Sequence, residues 1–201
     1  MYSVATVNSH IALVALGGNL GPVLETFEWA LAELEAEGFD ILAVSSAYRT
    51  RAWVRDSQTE VVPDYWNAAC KLAVCCAPEE LLAAVQRIEA RAGRVRGERW
   101  GSRPLDLDIL TFGDRQVQTD GLTIPHPEMP KRPFVLKPLV DIAPEQRVPP
   151  ANETVRALWQ RLPEPEGGIS EVRREWLNGS SVATVPSHGA GAPPSSPSFR
   201  A

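Results

Sequence analysis

The 201-residue sequence is poor in cysteine and in long apolar runs, and it carries no excess of positive charge. Its three cysteines, Cys70, Cys75 and Cys76, have neither Cys-x-x-Cys spacing nor a neighbouring histidine. That excludes the common zinc patterns and leaves no disulfide framework to expect, so buried apolar packing is their expected role. No window approaches the ~20 apolar residues that a membrane span needs. Residues 1–10 lack the charged-then-apolar order of a signal peptide, and the expected compartment is the cytoplasm. The net charge of −5 opposes a nucleic-acid partner, because such proteins need a basic footprint to displace counterions from phosphates. Internal repeats are absent, and the glycine-rich stretch Gly17 to Gly21 is not followed by Lys-Ser or Lys-Thr, which excludes a Walker-type phosphate loop.

The chain that remains is an ordinary globular one, 44% hydrophobic and 22% charged, long enough to bury one core. His10 to Leu16 is a continuous apolar run ending in a glycine turn, which predicts a buried strand. Pro22 then opens a helix with Leu24, Phe27, Leu31 and Leu34 on one face, stopped by Gly38. Residues 39–50 and 65–74 read as second and third strands, separated by a long polar loop containing Trp53. Ala77-Pro78-Glu79-Glu80 starts a second helix that runs to Gly93, and 105–112 reads as a fourth strand. Gly113-Asp114 suggests a hairpin returning through 116–119, with short helices expected over 133–140 and 155–162. The order β-α-β-β-α-β matches a split βαβ arrangement, an antiparallel sheet covered by two helices on one face, with C-terminal additions. Ser, Pro and Gly make up 13 of the residues from Asn178 to Ala201, a composition expected to stay disordered. The domain is therefore expected over 10–177, with 178–201 as a tail.

The chemistry concentrates between Arg94 and Leu110, where a burst of arginines and one tryptophan leads into Leu-Asp-Leu-Asp-Ile-Leu. Six arginines against two glutamates between Arg87 and Arg103 make a local charge of +4 on an acidic body, which suits a small anionic ligand. Strand alternation puts Asp106 and Asp108 on one face, about 7 Å apart. Two such carboxylates can hold a hard cation whose other positions go to water and phosphate oxygens, although an isolated Asp-x-Asp is more often the wet face of a strand. The arginines supply forked, always-charged donors for phosphate. Arg87 and Arg91, on the second helix, read as part of a solvated face.

Several segments together carry a resemblance: Leu16-Gly17-Gly18-Asn19-Leu20-Gly21, Tyr48-Arg49-Thr50, Asp64-Tyr65-Trp66-Asn67-Ala68, the run from Gly93 to Leu110, and Ile124-Pro125-His126-Pro127 through Arg132, Phe134 and Leu136. In this order they resemble the 6-hydroxymethyl-7,8-dihydropterin pyrophosphokinase family of the folate pathway, over roughly residues 11–176. The resemblance implies a ferredoxin-like α+β fold and transfer of the β,γ-pyrophosphoryl group of ATP to the hydroxymethyl oxygen of a reduced pterin, releasing AMP. It implies two Mg²⁺ ions on Asp106 and Asp108, and catalytic roles for Arg94, Arg96 and Arg103. It further implies ATP contacts from Arg96, Trp100, Arg103, Ile109, Thr123, His126 and Arg132. Pterin contacts would come from Thr50, Trp53, Tyr65, Asn67, Trp100 and Phe134, of which Tyr65 and Phe134 could equally be core. The implied partners are small molecules only, with the protein expected to be a monomer. Two other readings stay open at this point: a nucleic-acid module using the arginine-tryptophan loop, which the charge opposes, and another phosphoryl or nucleotidyl transferase, which product identity would separate.

Overall fold

The computed structural model describes residues 9–52, 62–94, 102–163 and 168–177; Trp53, Arg96, Trp100 and the tail from 178 lie outside them. The element order is β1 (His10–Gly18), α1 (Val23–Ala36), β2 (Asp40–Val44), β3 (Ala47–Thr50), β4 (Tyr65–Val74), α2 (Pro78–Arg91), β5 (Asp106–Phe112), β6 (Val117–Gln118), β7 (Thr123–Ile124), α3 (Pro133–Ile142), β8 (Arg147–Val148), β9 (Glu153–Thr154), α4 (Val155–Arg161) and β10 (Ile169–Arg173). The main sheet runs β10-β3-β4-β1-β5, with β2 also paired to β4, and each of these pairings is antiparallel.

Alternation along the strands divides the core in two. Ala12, Val14 and Leu16 of β1, Ala68, Cys70 and Leu72 of β4, and Leu107 and Ile109 of β5 pack under Phe27, Leu31 and Leu34 of α1 and Leu81, Val85 and Ile88 of α2. The other face, with Leu13, Ala69 and Leu110, is covered by Leu136 and Leu139 of α3 and Leu158 of α4. The expected pair of helices thus shares one face, and the C-terminal additions close the opposite one. Cys70 is fully buried, as an apolar role requires, whereas Cys75 is exposed and Cys76 half-buried, so the packing expected of all three holds for Cys70 alone.

Three local expectations need correction. The single strand over 39–50 is broken at Ser45, whose backbone N–H donates to Ala69 O (2.9 Å) while its hydroxyl accepts from the Ala69 N–H (2.9 Å) and donates to Ser46 O (2.7 Å). The side chain replaces a rung of the ladder, and the strand resumes as β3. The hairpin return after Gly113 does not pair with β5. Instead β6 pairs with β7 around Asp120-Gly121, a stronger hairpin dipeptide, closed by Thr119 N–H to Leu122 O at 2.9 Å. Finally, β10 extends the sheet beyond β3, and Trp176 follows it into the core, 5% exposed, edge-on to Phe27 and donating from Nε1 to Ser45 O (2.9 Å).

Candidate active site

The α3 face of the sheet carries a row of side chains set by strand register. Tyr48 on β3 pairs with Asn67 on β4, Asn67 with Gly17 on β1, and Gly17 with Asp106 on β5. Two residues along β4 on one side of this row Thr50 stands beside Tyr65, and on the opposite side of the row Ala15 stands beside Asp108. Asn67 is 8% exposed and its Nδ2 donates to Thr50 Oγ1 (3.0 Å). An amide reader and a carboxylate pair therefore share one surface, two strand spacings or roughly 9.6 Å apart.

The glycine motif before α1 ties three chain segments together. Asn19, 5% exposed, donates from Nδ2 to Ser102 Oγ (3.0 Å) and Pro63 O (3.3 Å), and accepts the Arg103 N–H on Oδ1 (2.8 Å). Its own N–H donates to Arg103 O (2.9 Å). Gly18 permits this approach, because a Cβ there would stand 2.6 Å from Pro104 O and 3.0 Å from Val23 Cγ1. Gly21 makes the turn itself, with φ at +71°.

Asp106 is gripped by two arginines. Arg103 Nη1 donates to its Oδ2 (2.8 Å), and Arg94 Nη1 lies 2.6 Å from its Oδ1. The Arg94 contact is an ion pair without hydrogen-bond alignment, so the buried Oδ1 keeps unused acceptor capacity. Arg94 also pairs with Glu89, a residue 6% exposed on the buried side of α2. Glu89 Oε1 accepts the Leu107 N–H at 2.7 Å, bracing β5 between the two aspartates. Burial pushes the Glu89 carboxyl up to about 7, and the Asp106 charge adds to this, against the Leu107 hydrogen bond and the Arg94 charge. Asp108 is likewise raised, first by burial and then by the Asp106 charge, with His126, Arg132 and Arg94 opposing.

These features fit a hard divalent cation. One aspartate offers a buried oxygen with no aligned donor, and the other is held in a state that added positive charge would relieve. Among the described residues no group of three His, Cys, Asp or Glu side chains converges. Two aspartates would leave the other positions of a bound cation to water and phosphate oxygens, as magnesium is commonly held.

Asp108, Ile109, Thr123 and His126 line one cleft of about 340 Å³. The His126 N–H donates to Leu110 O (2.9 Å), and its Nδ1 accepts the Glu128 N–H (3.2 Å), which fixes the ring. Arg132 caps α3 at its N-terminus and lies over the Phe134 ring, 5.9 Å from its centroid. Phe134 is 38% exposed and Tyr65 partly exposed, so neither is core. The structure thus brings Asp108, Ile109, Thr123 and His126 to one cleft, and Thr50, Tyr65 and Asn67 to the adjoining strands. Arg87 and Arg91 instead pair with Glu37 (2.6 Å) and Glu33 of α1, the solvated role expected of them. Glu89 and Asn19 were not among the candidate residues. The signal for Glu89 is a carboxylate four residues after Val85 and one after Ile88, on an otherwise apolar stripe.

An antiparallel sheet bearing paired carboxylates, bordering arginines and an amide on the same face can hold a cation beside a phosphate, as a transferase of the kinase kind requires. The sequence profile of 7,8-dihydro-6-hydroxymethylpterin-pyrophosphokinase (HPPK) matches residues 13–144, and the chain belongs to this family of folate-biosynthesis enzymes. It is 45% identical over 154 residues to the 2-amino-4-hydroxy-6-hydroxymethyldihydropteridine pyrophosphokinase of Synechocystis sp., covering 76% of each chain. To the Haemophilus influenzae protein of the same name it is 40% identical over 139 residues, covering 69% of this chain and 84% of that one. It is also 38% identical over 171 residues to the mitochondrial folate synthesis bifunctional protein of Pisum sativum, spanning 85% of this chain and 31% of the pea protein. A crystal structure of Plasmodium falciparum HPPK-DHPS superposes with a TM-score of 0.60 at 15% identity, over 79% of this chain and 46% of that one, a likeness of fold alone.

Proposed function

We propose that the chain moves the β,γ-pyrophosphoryl group of ATP onto the hydroxymethyl oxygen of 6-hydroxymethyl-7,8-dihydropterin and releases AMP. The observation that carries this reading is the shared row, in which Asn67 and the Asp106–Asp108 pair face the same space across Gly17. Asp106 and Asp108 would hold two Mg²⁺ ions, which supply fixed positive charge to the phosphate oxygens as the bridge to the α-phosphate breaks. ATP would lie along the cleft of Ile109, Thr123 and His126, with Arg132 at its border and Arg103 turning from Asp106 to phosphate. Arg96 and Trp100 belong to the same proposal and lie outside the described residues. The pterin would lie against Thr50, Tyr65, Asn67 and Phe134, with Trp53 and Trp100 completing its surroundings. Since phosphoryl transfer leaves little covalent chemistry to the protein, these residues act by orientation and charge. Arg94 would keep Glu89 neutralised while Asp106 exchanges partners.

The sheet order supports a ferredoxin-like topology, with β2 and β3 counted as one strand beside β4, and the packing of Trp176 supports a domain over 10–177. Among the described residues no helix is long and apolar enough to cross a membrane. A cytoplasmic monomer acting on small molecules belongs to the same proposal. Incubation with ATP, Mg²⁺ and 6-hydroxymethyl-7,8-dihydropterin, followed by chromatography, tests the reading. Stoichiometric AMP and pterin diphosphate that require both metal and pterin are expected; ADP or free pyrophosphate as the nucleotide-derived product would overturn it.

A further inference from the structure

Two adjacent glycines of β1 differ in what holds them. A side chain at Gly18 would collide with the Pro104 backbone, whereas a Cβ at Gly17 would meet nothing nearer than Asp106 Cβ at 3.8 Å and Asn67 Oδ1 at 4.0 Å, ordinary contacts. Gly17 is also absent from the positive-φ glycines of the chain. The fold therefore has room for alanine at Gly17, and alanine would strengthen an interior strand that glycine weakens. A glycine that neither backbone conformation nor packing requires marks a place where something else approaches the main chain. Exposure agrees: β1 is an inner strand, bonded on both edges, yet Gly17 and Ala15 remain partly exposed while Gly18 and Leu16, on the helix-covered face, are buried. With its Nδ2 engaged by Thr50 Oγ1, Asn67 turns Oδ1 over the same spot.

We infer that Gly17 is a specificity-determining residue: its bare Cα is the floor on which a flat, unsaturated heterocyclic acceptor rests as it spans from Asn67 toward the Asp106–Asp108 pair. The inference rests on the function proposed above and deepens it. A methyl at Gly17 would lift the ring by about one C–C bond, ~1.5 Å, and a misplacement of about 1 Å can lower rate about 10²-fold. Nucleotide held along β5 and β7 would not meet it.

The test is Gly17→Ala beside wild type. It measures thermal midpoint, Kd for Mg²⁺ with a non-hydrolysable ATP analogue, and then Kd for 6-hydroxymethylpterin in that binary complex. We expect a midpoint equal to or above wild type, nucleotide affinity within about threefold, and pterin affinity lowered about tenfold or more. Pterin binding within threefold of an active wild type would overturn the role of Gly17 and leave the proposed function standing. So would a midpoint lowered by more than about 5 °C, since the fold would then need the glycine, or an equal loss of nucleotide and pterin. A wild type that neither binds pterin nor forms AMP would remove the proposed function and this inference together.

Discussion

Glu89→Gln is a perturbation whose direction follows from the buried carboxyl on α2. Its ordinary value is 4.5, and in the folded chain burial pushes it up to about 7. The folded protein thus holds the proton more tightly than the unfolded chain does, so this stabilisation is complete below about pH 4.5 and lost as pH rises through about 7. The difference corresponds to roughly 3 kcal/mol above pH 7. Glutamine stays neutral throughout and can still accept the Leu107 N–H through Oε1, while Arg94 retains Asp106 as a partner. In metal-free buffer, wild type and variant should have similar stability at pH 5. At pH 8 the variant should be more stable by up to about 3 kcal/mol, or ~6–12 °C in thermal midpoint for a domain of this size. Urea titrations at both pH values decide it. Glu89→Leu is the control, because it leaves the Leu107 N–H buried without an acceptor and should be about 1–3 kcal/mol less stable than Glu89→Gln at both pH values. Parallel pH dependence in wild type and Glu89→Gln, or a less stable glutamine variant at pH 8, would refute the claim that Glu89 is buried against its charge.

Asp108→Ala should abolish turnover while leaving the thermal midpoint within a few degrees; near-normal turnover in magnesium would remove Asp108 from the metal site. Because the Asp108 carboxyl is raised by burial and by Asp106, a cation must compete with a proton there at higher pH than at an ordinary aspartate. Magnesium affinity measured by calorimetry should therefore fall on acidification before the usual carboxylate range is reached, and a flat profile down to that range would contradict this. Trp176→Ala should cost about 3–5 kcal/mol by emptying the space beside Phe27 and leaving Ser45 O without its donor; a denaturant midpoint unchanged from wild type would show that Trp176 does not anchor the segment after β10. Gly18→Ala should destabilise clearly through its 2.6 Å approach to Pro104 O, and crystallisation with the 102–104 backbone in place would disprove the close packing.

What was legible from the sequence, and what was not, divides along a physical line. The inner strands β1, β4 and β5 and the helices α1 and α2 declare themselves by periodicity, because one face of each must be apolar over several turns or rungs. Asp106 and Asp108 were legible for the same reason: two carboxylates on the alternate positions of a strand can only emerge together. Strand β10 has no such apolar period, since its half-buried positions are Ile169 and Glu171 while Val172 is exposed, and its place at the sheet edge is set by pairing with β3 more than a hundred residues away. Asn19 and Glu89 were missed because their partners, Arg103 and the Leu107 N–H, lie 84 and 18 residues along the chain. Polar contacts of this range leave no repeating trace. Glu89 leaves a contradiction instead, a carboxylate at a position that the surrounding stripe of α2 requires to be apolar, whereas Asn19, in the turn after β1, breaks no period. Since burying such a group is unfavourable unless a partner is waiting, the contradiction at Glu89 predicts a specific partner, and that partner, the Leu107 N–H, lies between the paired aspartates. Polar residues that break an apolar pattern therefore point to the site from outside the motif, by the same desolvation argument that makes the rest of the pattern apolar.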